Sequence, residues 1–390
     1  MRIWGITGTN GKTTVTWIAA AFIDGSRCLD GTTRRCGYLT TVEANTLSRR
    51  FHTGYTTPPL DRLREIFAEM EANGCTDCVM EMSSHAIHQR RAGETVFAGG
   101  AFTNLSEDHL DYHKTMAEYF RVKLSFAEQI ARERPTAAPA PYVVCVDGEN
   151  GPEMRDACAA IEGLALVPVS ARGGWLDFSR LPLVGDYNRS NVAVAAALAE
   201  AAGVSRAEIQ AKVPTLEPRW GRLERVGNPD SAAEVFVDFA HTPDGLEKML
   251  SAVRGFAKGE LWVVFGAGGD RDPMKRPLMG AACARLADRL VVTSDNPRGE
   301  APDAIAAAVL AGVPEEARAR VTVELDRAAA ISFALANARS GDVVVVAGKG
   351  HETTQEIAGV KIPFDDREQV RAWRKPPRGV DKNCQVAFRR

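Results

Sequence analysis

An α/β fold in two parts is predicted by three features of the sequence: a P-loop ATPase domain with a mostly parallel sheet, then a C-terminal Rossmann-like doubly wound domain. The first feature is a short apolar strand, a glycine-containing loop and a helix in direct succession at residues 2–6, 7–14 and 15–22. The second is the alternation of short apolar runs with helical periodicities between residues 234 and 347, which implies βαβ units and a parallel sheet. The third is that polar motifs recur where those runs end, the edge at which open α/β sheets bind their ligands.

A chain of 390 residues is too long for one ordinary core, so two domains are expected, with the boundary at residues 217 and 218. Hydrophobic content of 45% and charged content of 25% are those of a globular protein that dissolves in water. The 48 basic and 50 acidic side chains leave a net charge of −2, which gives no global electrostatic case for nucleic acid or a membrane surface as partner. The first residues enter a strand without a basic-then-apolar leader, and no apolar run approaches the roughly 18 residues that span a bilayer, so a cytoplasmic location is expected. Eight scattered cysteines suit a reducing compartment. Cys75 and Cys78 form a lone CxxC without a second pair or a histidine cluster beside it, and buried thiols at a strand edge are the expected reading.

The loop TGTNGKTT at 7–14 is a phosphate cradle. Gly8 and Gly11 let backbone N–H groups of the loop, with those of Thr9 and Asn10, turn inward around an anion. The helix N-terminus adds partial positive charge, Lys12 reaches terminal phosphates, and a hydroxyl of Thr13 or Thr14 can hold Mg2+. ATP with Mg2+ is the expected cofactor pair. The strict P-loop pattern asks for glycine where Ile6 stands; Gly5 comes one place too early.

Residues 24–56 are polar and aperiodic and read as loop with short hairpin strands. Leu60, Leu63, Phe67 and Met70 follow Pro58 and Pro59 at helical spacing and stop before Gly74, which predicts an amphipathic helix. Thr57 reads either as its N-cap, the reading that local physics favours, or, with Thr56, as a hydroxyl facing a ligand. Residues 75–82 read as a strand delivering Glu81, Ser83, Ser84 and His85. Residues 99–104 deliver a second polar loop, 104–113, and four of the seven histidines (85, 88, 109 and 113) gather here. Glu81 and His109 can share a cation with the cradle hydroxyl, or His109 can orient a ligand from behind. The helix at 116–130 carries Lys123 among apolar neighbours, where a lysine is ordinarily solvated or snorkelling. Residues 131–142 read as a Pro/Ala linker, 142–146 as a strand, 185–203 as an Ala-rich helix with polar residues at its start, and 375–390 as a frayed tail.

Taken together, TGTNGKTT, TTP, EMSSHA, FTNLSEDHLDYH, the lysine ten residues further on, Gly221-Arg222, DFAHTP, GAGGDRD with KRP, TSDNPR and AGKGHE occur in the order seen in the Mur ligase family. The resemblance runs from residue 2 to about 370 and is similar above all to the branch that adds diaminopimelate to peptidoglycan precursors. It implies ATP-dependent amide formation through an acyl phosphate, with a UDP-N-acetylmuramoyl-dipeptide-type acceptor and meso-diaminopimelate as substrates and a monomeric enzyme. It implies that Lys12, Glu81, His109 and Lys123 are catalytic, that Thr13, Glu81, His109 and Lys123 form the metal site, and that Lys123 is carbamylated. Asn188, Asn191, Arg222, Asp238 and His241 match nucleotide-facing positions. Thr56, Thr57, Ser83, Gln89 and Arg91 match positions that contact the acceptor; Arg271, Asp295, Asn296, Pro297, Arg298, Gly348 and Glu352 match the amino-acid pocket. Relatives carry a further N-terminal domain that grips the uridine nucleotide. Here Met1 stands directly before the ATPase strand, so the expectation is a fragment, or a ligase whose acceptor is smaller or differently anchored. Two other readings stay open: a folylpolyglutamate synthase-like ligase with another carboxylate acceptor, and a nonligating ATP-binding subunit.

Overall fold

The computed structural model describes residues 1–28, 30–134 and 136–375. The chain forms two compact units, the first Met1–Pro218 and the second beginning at Arg219. The tail expected at 375–390 lies outside the described residues except for Lys375, and so does Cys384.

In the first unit β1 (Arg2–Thr7), α1 (Lys12–Ile23), β2 (Cys36–Leu39), β3 (Ala44–Asn45), β4 (Arg50–Phe51), α2 (Leu60–Ala72), β5 (Asp77–Glu81), α3 (Ser84–His88) and β6 (Gly99–Phe102) come in order. They are followed by α4 (Leu110–His113), α5 (Met116–Glu133), β7 (Ala140–Cys145), α6 (Gly151–Ala159), β8 (Leu164–Val169), α7 (Asp186–Ala201) and α8 (Arg206–Lys212). The sheet order is β4-β3-β2-β5-β1-β6-β7-β8. β2 to β8 run parallel through β5, β1, β6 and β7, and β3 and β4 add an antiparallel edge. β1 therefore lies centrally, its carboxyl end flanked by those of β5 and β6. Parallel strands buried on both faces read as continuous apolar runs, and β5 is buried at every position. Gly5 has a packing reason: a Cβ there would lie 2.3 Å from the Phe126 ring, so glycine lets α5 approach the sheet.

The linker expected at 131–142 is shorter than the sequence suggests. α5 continues to Glu133, and β7 begins at Ala140 with Pro141 inside it. Proline is tolerated there because β6 pairs with β7 only from Tyr142 onward, so Pro141 has β8 alone as a ladder neighbour.

The second unit holds β9 (Glu224–Arg225), β10 (Glu234–Asp238), α9 (Pro243–Arg254), β11 (Leu261–Phe265), α10 (Lys275–Leu286), β12 (Arg289–Val292), α11 (Pro302–Leu310) and β13 (Val321–Val323). α12 (Arg327–Asn337), β14 (Val343–Ala347), β15 (Thr354–Ile357), β16 (Val360–Pro363) and α13 (Asp366–Ala372) complete it. Its sheet, ordered β13-β12-β11-β14-β10-β9, is parallel except for β9. Strand order reverses between β11 and β14, which makes the carboxyl ends of β11, β12 and β14 the switch-point crevice of a doubly wound sheet. Among the described residues no helix is long and apolar enough to cross a membrane.

Candidate active site

The loop between β1 and α1 takes the cradle form. Gly11 sits at φ 83° as the residue before α1, and a Cβ on it would lie 2.3 Å from Asn191 Oδ1 on α7. Only glycine meets both the left-handed backbone and that close approach. The first turn of α1 has neither a side-chain cap nor an acidic residue, so no side chain of its own neutralises the positive end of the helix dipole, which suits an anion. The loop is stapled to the residues after β6. Thr9 N–H donates to Asn104 O at 2.9 Å, Asn10 N–H to Asn104 Oδ1 at 2.9 Å, and Thr103 Oγ1 to Asn10 O at 2.6 Å. Lys12 Nζ folds onto the loop, donating to Gly8 O at 2.9 Å and Thr9 O at 2.8 Å. Thr13 and Thr14 are buried in the first turn.

β6 and α5 bring the histidine loop and Lys123 to the same edge. Lys123 is fully buried, its Nζ lies 4.4 Å from the Tyr119 ring centroid, and that nitrogen has no hydrogen-bond partner among the described residues. Burial, reinforced by the nearby charge of Lys12, drives its amine well below the ordinary lysine value. Full burial, with no hydrogen-bond partner for the amine among the described residues, separates this residue from a snorkelling lysine. His109, at φ 56° before α4, lies edge-on to His85 with ring centroids 5.0 Å apart, and its Nε2 is 3.5 Å from Asp108 Oδ2. Desolvation outweighs Asp108 and pushes His109 down to about 4, so its imidazole is neutral and able to ligate. Lys12, Asp108, His109 and Lys123 thus sense one another's charge.

Glu81 is nearly fully buried at the end of β5 and accepts from Thr41, N–H to Oε1 at 2.9 Å and Oγ1 to Oε2 at 3.1 Å. Thr41 was not singled out in the sequence, where the 24–56 stretch gives no period. Thr56 Oγ1 lies 2.9 Å from the same Thr41 hydroxyl, which can accept its proton while donating to Glu81, so Thr56 borders Glu81. The N-cap expected at Thr57 is not formed. α2 begins at Leu60 after Pro59, and the fully buried Thr57 hydroxyl donates to Glu81 O at 2.9 Å and accepts from Ser83 N–H at 3.1 Å. The two prolines carry the chain past the cap position, and the hydroxyl instead ties the end of β5 to the start of α3. Thr57→Val is therefore expected to lower stability by about 1–3 kcal/mol, read as a lower melting temperature. A raised acceptor KM without a melting shift would identify Thr57 as a binding group instead.

Ser83 caps α3 by accepting from Ala86 N–H at 3.2 Å. Gln89 Nε2 donates to Tyr112 OH at 3.1 Å and its Oε1 accepts from Arg91 Nε at 2.7 Å, which places both residues on the outer side of the histidine loop. His113 is fully buried, stacked on Tyr119 at 4.9 Å, with Nε2 2.9 Å from Ser84 Oγ. Burial, then the charges of His85 and Lys123, push it down to about 4. Its folded value is depressed, so between pH 6.5 and about 4 the unfolded chain binds the extra proton and stability falls as pH falls. Chemical denaturation in that window is expected to show this slope, and His113→Asn to flatten it. Asn188 and Asn191 sit on α7 beside the cradle with their amides engaged, Asn188 Nδ2 to Val184 O at 2.7 Å and Asn191 Nδ2 to Asn188 Oδ1 at 3.2 Å.

In the second unit Asp238 ends β10, accepting from Leu223 N–H at 2.5 Å and Ala240 N–H at 2.7 Å; burial raises its carboxyl above the usual range. Arg222 lies over the Phe239 ring at 4.5 Å and the His241 ring is 4.6 Å from that ring, so these three predicted residues share one corner. At the switch point Asn296 Nδ2 donates to Glu352 Oε2 at 2.8 Å, and the fully buried Lys349 donates to that oxygen at 2.7 Å and to Asn296 Oδ1 at 3.1 Å. Lys349 was visible only as part of AGKGHE; its role as the cation behind Glu352 was not. A Cβ on Gly348 would lie 2.5 Å from Asp295 Oδ2, so the two turns touch. Arg298 donates from Nη1 to Gly269 O at 2.7 Å, which abuts the loop holding the exposed Arg271; a Cβ on Gly269 would meet Pro297 O at 1.9 Å. All seven residues predicted for the amino-acid pocket lie on these three adjoining loops.

Among the described residues no three of His, Cys, Asp and Glu group tightly enough to hold a metal by themselves.

The cradle and the buried lysine beside it define a nucleotide-using α/β enzyme. Residues 6–199 match the Mur ligase middle domain and residues 221–350 the Mur ligase glutamate ligase domain. The chain belongs to the Mur ligase family of ATP-dependent ligases. It is 40% identical over 388 residues to the UDP-N-acetylmuramoyl-L-alanyl-D-glutamate--2,6-diaminopimelate ligase of Chelativorans sp. (strain BNC1), covering 94% of this chain and 77% of the relative. A solved structure of a ligase bearing that name is 30% identical with a TM-score of 0.58, over 95% of this chain and 77% of the other. Folylpolyglutamate synthase of Mycobacterium tuberculosis, complexed with ADP and AMPPCP, is 20% identical with a TM-score of 0.62, over 89% and 88%, and shares the fold.

Proposed function

We propose that this chain joins meso-diaminopimelate to a UDP-N-acetylmuramoyl-L-alanyl-D-glutamate-type acceptor at the expense of ATP in peptidoglycan precursor synthesis. Residues 1–217 serve as the ATP-binding domain and 218–390 as the amino-acid-binding domain. The observation that carries the reading is Lys123: a fully buried amine with no hydrogen-bond partner among the described residues, within electrostatic reach of the cradle lysine and His109.

The backbone of residues 8–14 holds the ATP phosphates, and Lys12 leaves its loop carbonyls for the terminal phosphate. The acceptor carboxylate attacks the γ-phosphorus, the bond to the β-phosphate oxygen breaks, and ADP leaves. The diaminopimelate amine then attacks the resulting acyl phosphate; the C–N bond forms, phosphate departs and a proton is lost. The chain's part is positioning and charge neutralisation. Addition of CO2 to the neutral Lys123 amine forms an N–C bond, releases a proton and turns the residue into a carbamate anion. The Thr13 hydroxyl, Glu81, His109 and that carbamate are the groups that would hold Mg2+, which neutralises phosphate charge when bound. Thr56, Ser83, Gln89 and Arg91 border the acceptor, with Thr57 behind them. Asn188, Asn191, Arg222, Asp238 and His241 shape the nucleotide-facing corners. Arg271, Asp295, Asn296, Pro297, Arg298, Gly348 and Glu352 receive the diamino diacid, Glu352 facing an ammonium and Arg298 a carboxylate. The chain acts as a cytoplasmic monomer in this reading, and its nearly balanced charge gives no electrostatic case for a nucleic-acid or membrane-surface partner.

ADP release with ATP, UDP-muramoyl dipeptide and diaminopimelate, each omitted in turn, tests the proposal. Turnover is expected only with all three. Turnover without the uridine-linked acceptor would point to another carboxylate, and none with any acceptor would point to a nonligating subunit.

A further inference from the structure

Behind the switch-point crevice lies an ion pair that the proposed chemistry does not use. Arg327 opens α12 and Asp366 opens α13, and both side chains are fully buried. Arg327 Nε and Nη2 donate to the two Asp366 carboxylate oxygens at 2.7 and 2.8 Å. The same guanidinium also donates to Ala347 O at 2.9 Å and Ser294 O at 3.3 Å. These are the carbonyls immediately before Gly348 and Asp295, where the chain leaves the sheet and enters two of the three pocket loops. The charges of Asp295 and Glu352 both act on Arg327, so it lies close behind both loops.

A buried ion pair is poor evidence for stability, because well-packed apolar residues often replace one without loss. What apolar side chains cannot replace is the link to two carbonyls on different strands. A lysine cannot replace it either, since its point charge lacks the planar fork that meets a carboxylate on one side and two carbonyls on the other. We propose that Arg327 is a positioning residue of the amino-acid pocket: it fixes the spacing between the turns at 294–298 and 347–352, with Asp366 holding the plane of its guanidinium. This rests on the pocket reading given above. A displacement of about 1 Å between groups that bind one substrate is enough to cost on the order of 100-fold in rate.

The test compares Arg327→Lys, Arg327→Met and the double variant Arg327→Met/Asp366→Leu of the full chain with Arg298→Ala. Melting temperature, KM for each substrate, kcat and amide hydrogen exchange in segments 293–299 and 347–353 are measured. Arg327→Lys is expected to exchange faster in both segments and to raise the diaminopimelate KM at least about 10-fold, with the ATP KM nearly unchanged. The double variant is expected to melt close to the parent and keep the raised KM. Recovery of the diaminopimelate KM in the double variant would overturn the inference, as would equal rises in the ATP and diaminopimelate KM or unchanged exchange. If exchange quickens but the diaminopimelate KM stays flat in Arg298→Ala as well, the pocket reading fails while the clamp on the two turns stands. If it stays flat in the Arg327 variants alone, the inference fails and the pocket reading stands.

Discussion

Lys123→Met is expected to abolish ligation and at the same time raise the melting temperature. Methionine is close to lysine in length, fills the same apolar site and removes a fully buried nitrogen that has no hydrogen-bond partner among the described residues. An unsatisfied buried polar group costs about 1–3 kcal/mol, and about 2–4 °C accompanies each kcal/mol in a unit of this size. The gain depends on pH. The folded-state amine is depressed below the ordinary 10.5, so at lower pH the unfolded chain holds the extra proton and the lysine burdens the fold. Stabilisation by the substitution is thus larger at low pH and fades as pH rises toward the ordinary lysine value. Activity moves the other way: losing the carbamate is expected to lower kcat by about 100- to 1,000-fold. Thermal melts at two pH values, ADP release, and 13C NMR of the parent enzyme in labelled bicarbonate check the three parts. A variant that melts below the parent, or keeps more than a tenth of its turnover, would refute this account of the residue.

The part of the architecture that could be read from the chain is the part set by local pattern. β1 and the cradle, the amphipathic α2, and the strand–helix alternation of the second unit follow from apolar spacing and from glycine or proline at element ends. Strand β8 went unread because LALVPV contains a proline, and proline argues against a strand unless it lies at the sheet's edge, as β8 does. The β15–β16 hairpin has no such excuse in composition; its outward positions Val360 and Ile362 are exposed and apolar, which blurs the alternation. At the site, Lys12, His109 and Lys123, which lie far apart in sequence, share one electrostatic environment. What the chain could not reveal were partners fixed only by tertiary contact: Thr41 on Glu81, Lys349 on Asn296, and Arg327 on Asp366 at a separation of 39 residues. Thr57 shows the same limit in reverse. Local sequence makes it a cap, while the end of β5 and the start of α3 each offer its hydroxyl a partner.

Arg298→Ala is expected to raise the diaminopimelate KM by about 30-fold or more, since truncating one member of a buried charge pair costs about 2–5 kcal/mol, while the ATP KM stays within about two-fold. The geometry of Arg298 suits the proposed role. Its backbone is held at φ 50°, a conformation costly for a residue with a side chain. The hairpin holds it there, through Arg298 N–H to Glu356 O at 3.0 Å and Ala358 N–H to Arg298 O at 2.7 Å. Nη1 is spent on Gly269 O, and Nε is 3.7 Å from Glu356 Oε2, a loose pairing that a substrate carboxylate can supplant. The side chain is 22% exposed, enough to be reached and little enough for the charge to matter. Lysine offered in place of diaminopimelate has no carboxylate at its far end and would leave the guanidinium short of a partner, so the parent should discriminate strongly against it. Removing the guanidinium removes the reason for discrimination, and the ratio of kcat/KM for diaminopimelate over lysine should fall by about 100-fold. Arg298→Lys should recover little of it, because a single ammonium cannot hold Gly269 O and grip a carboxylate bidentately at once. Equal losses of ATP and diaminopimelate affinity in Arg298→Ala, or an unchanged preference between the two amino acids, would move the specificity determinant away from this loop.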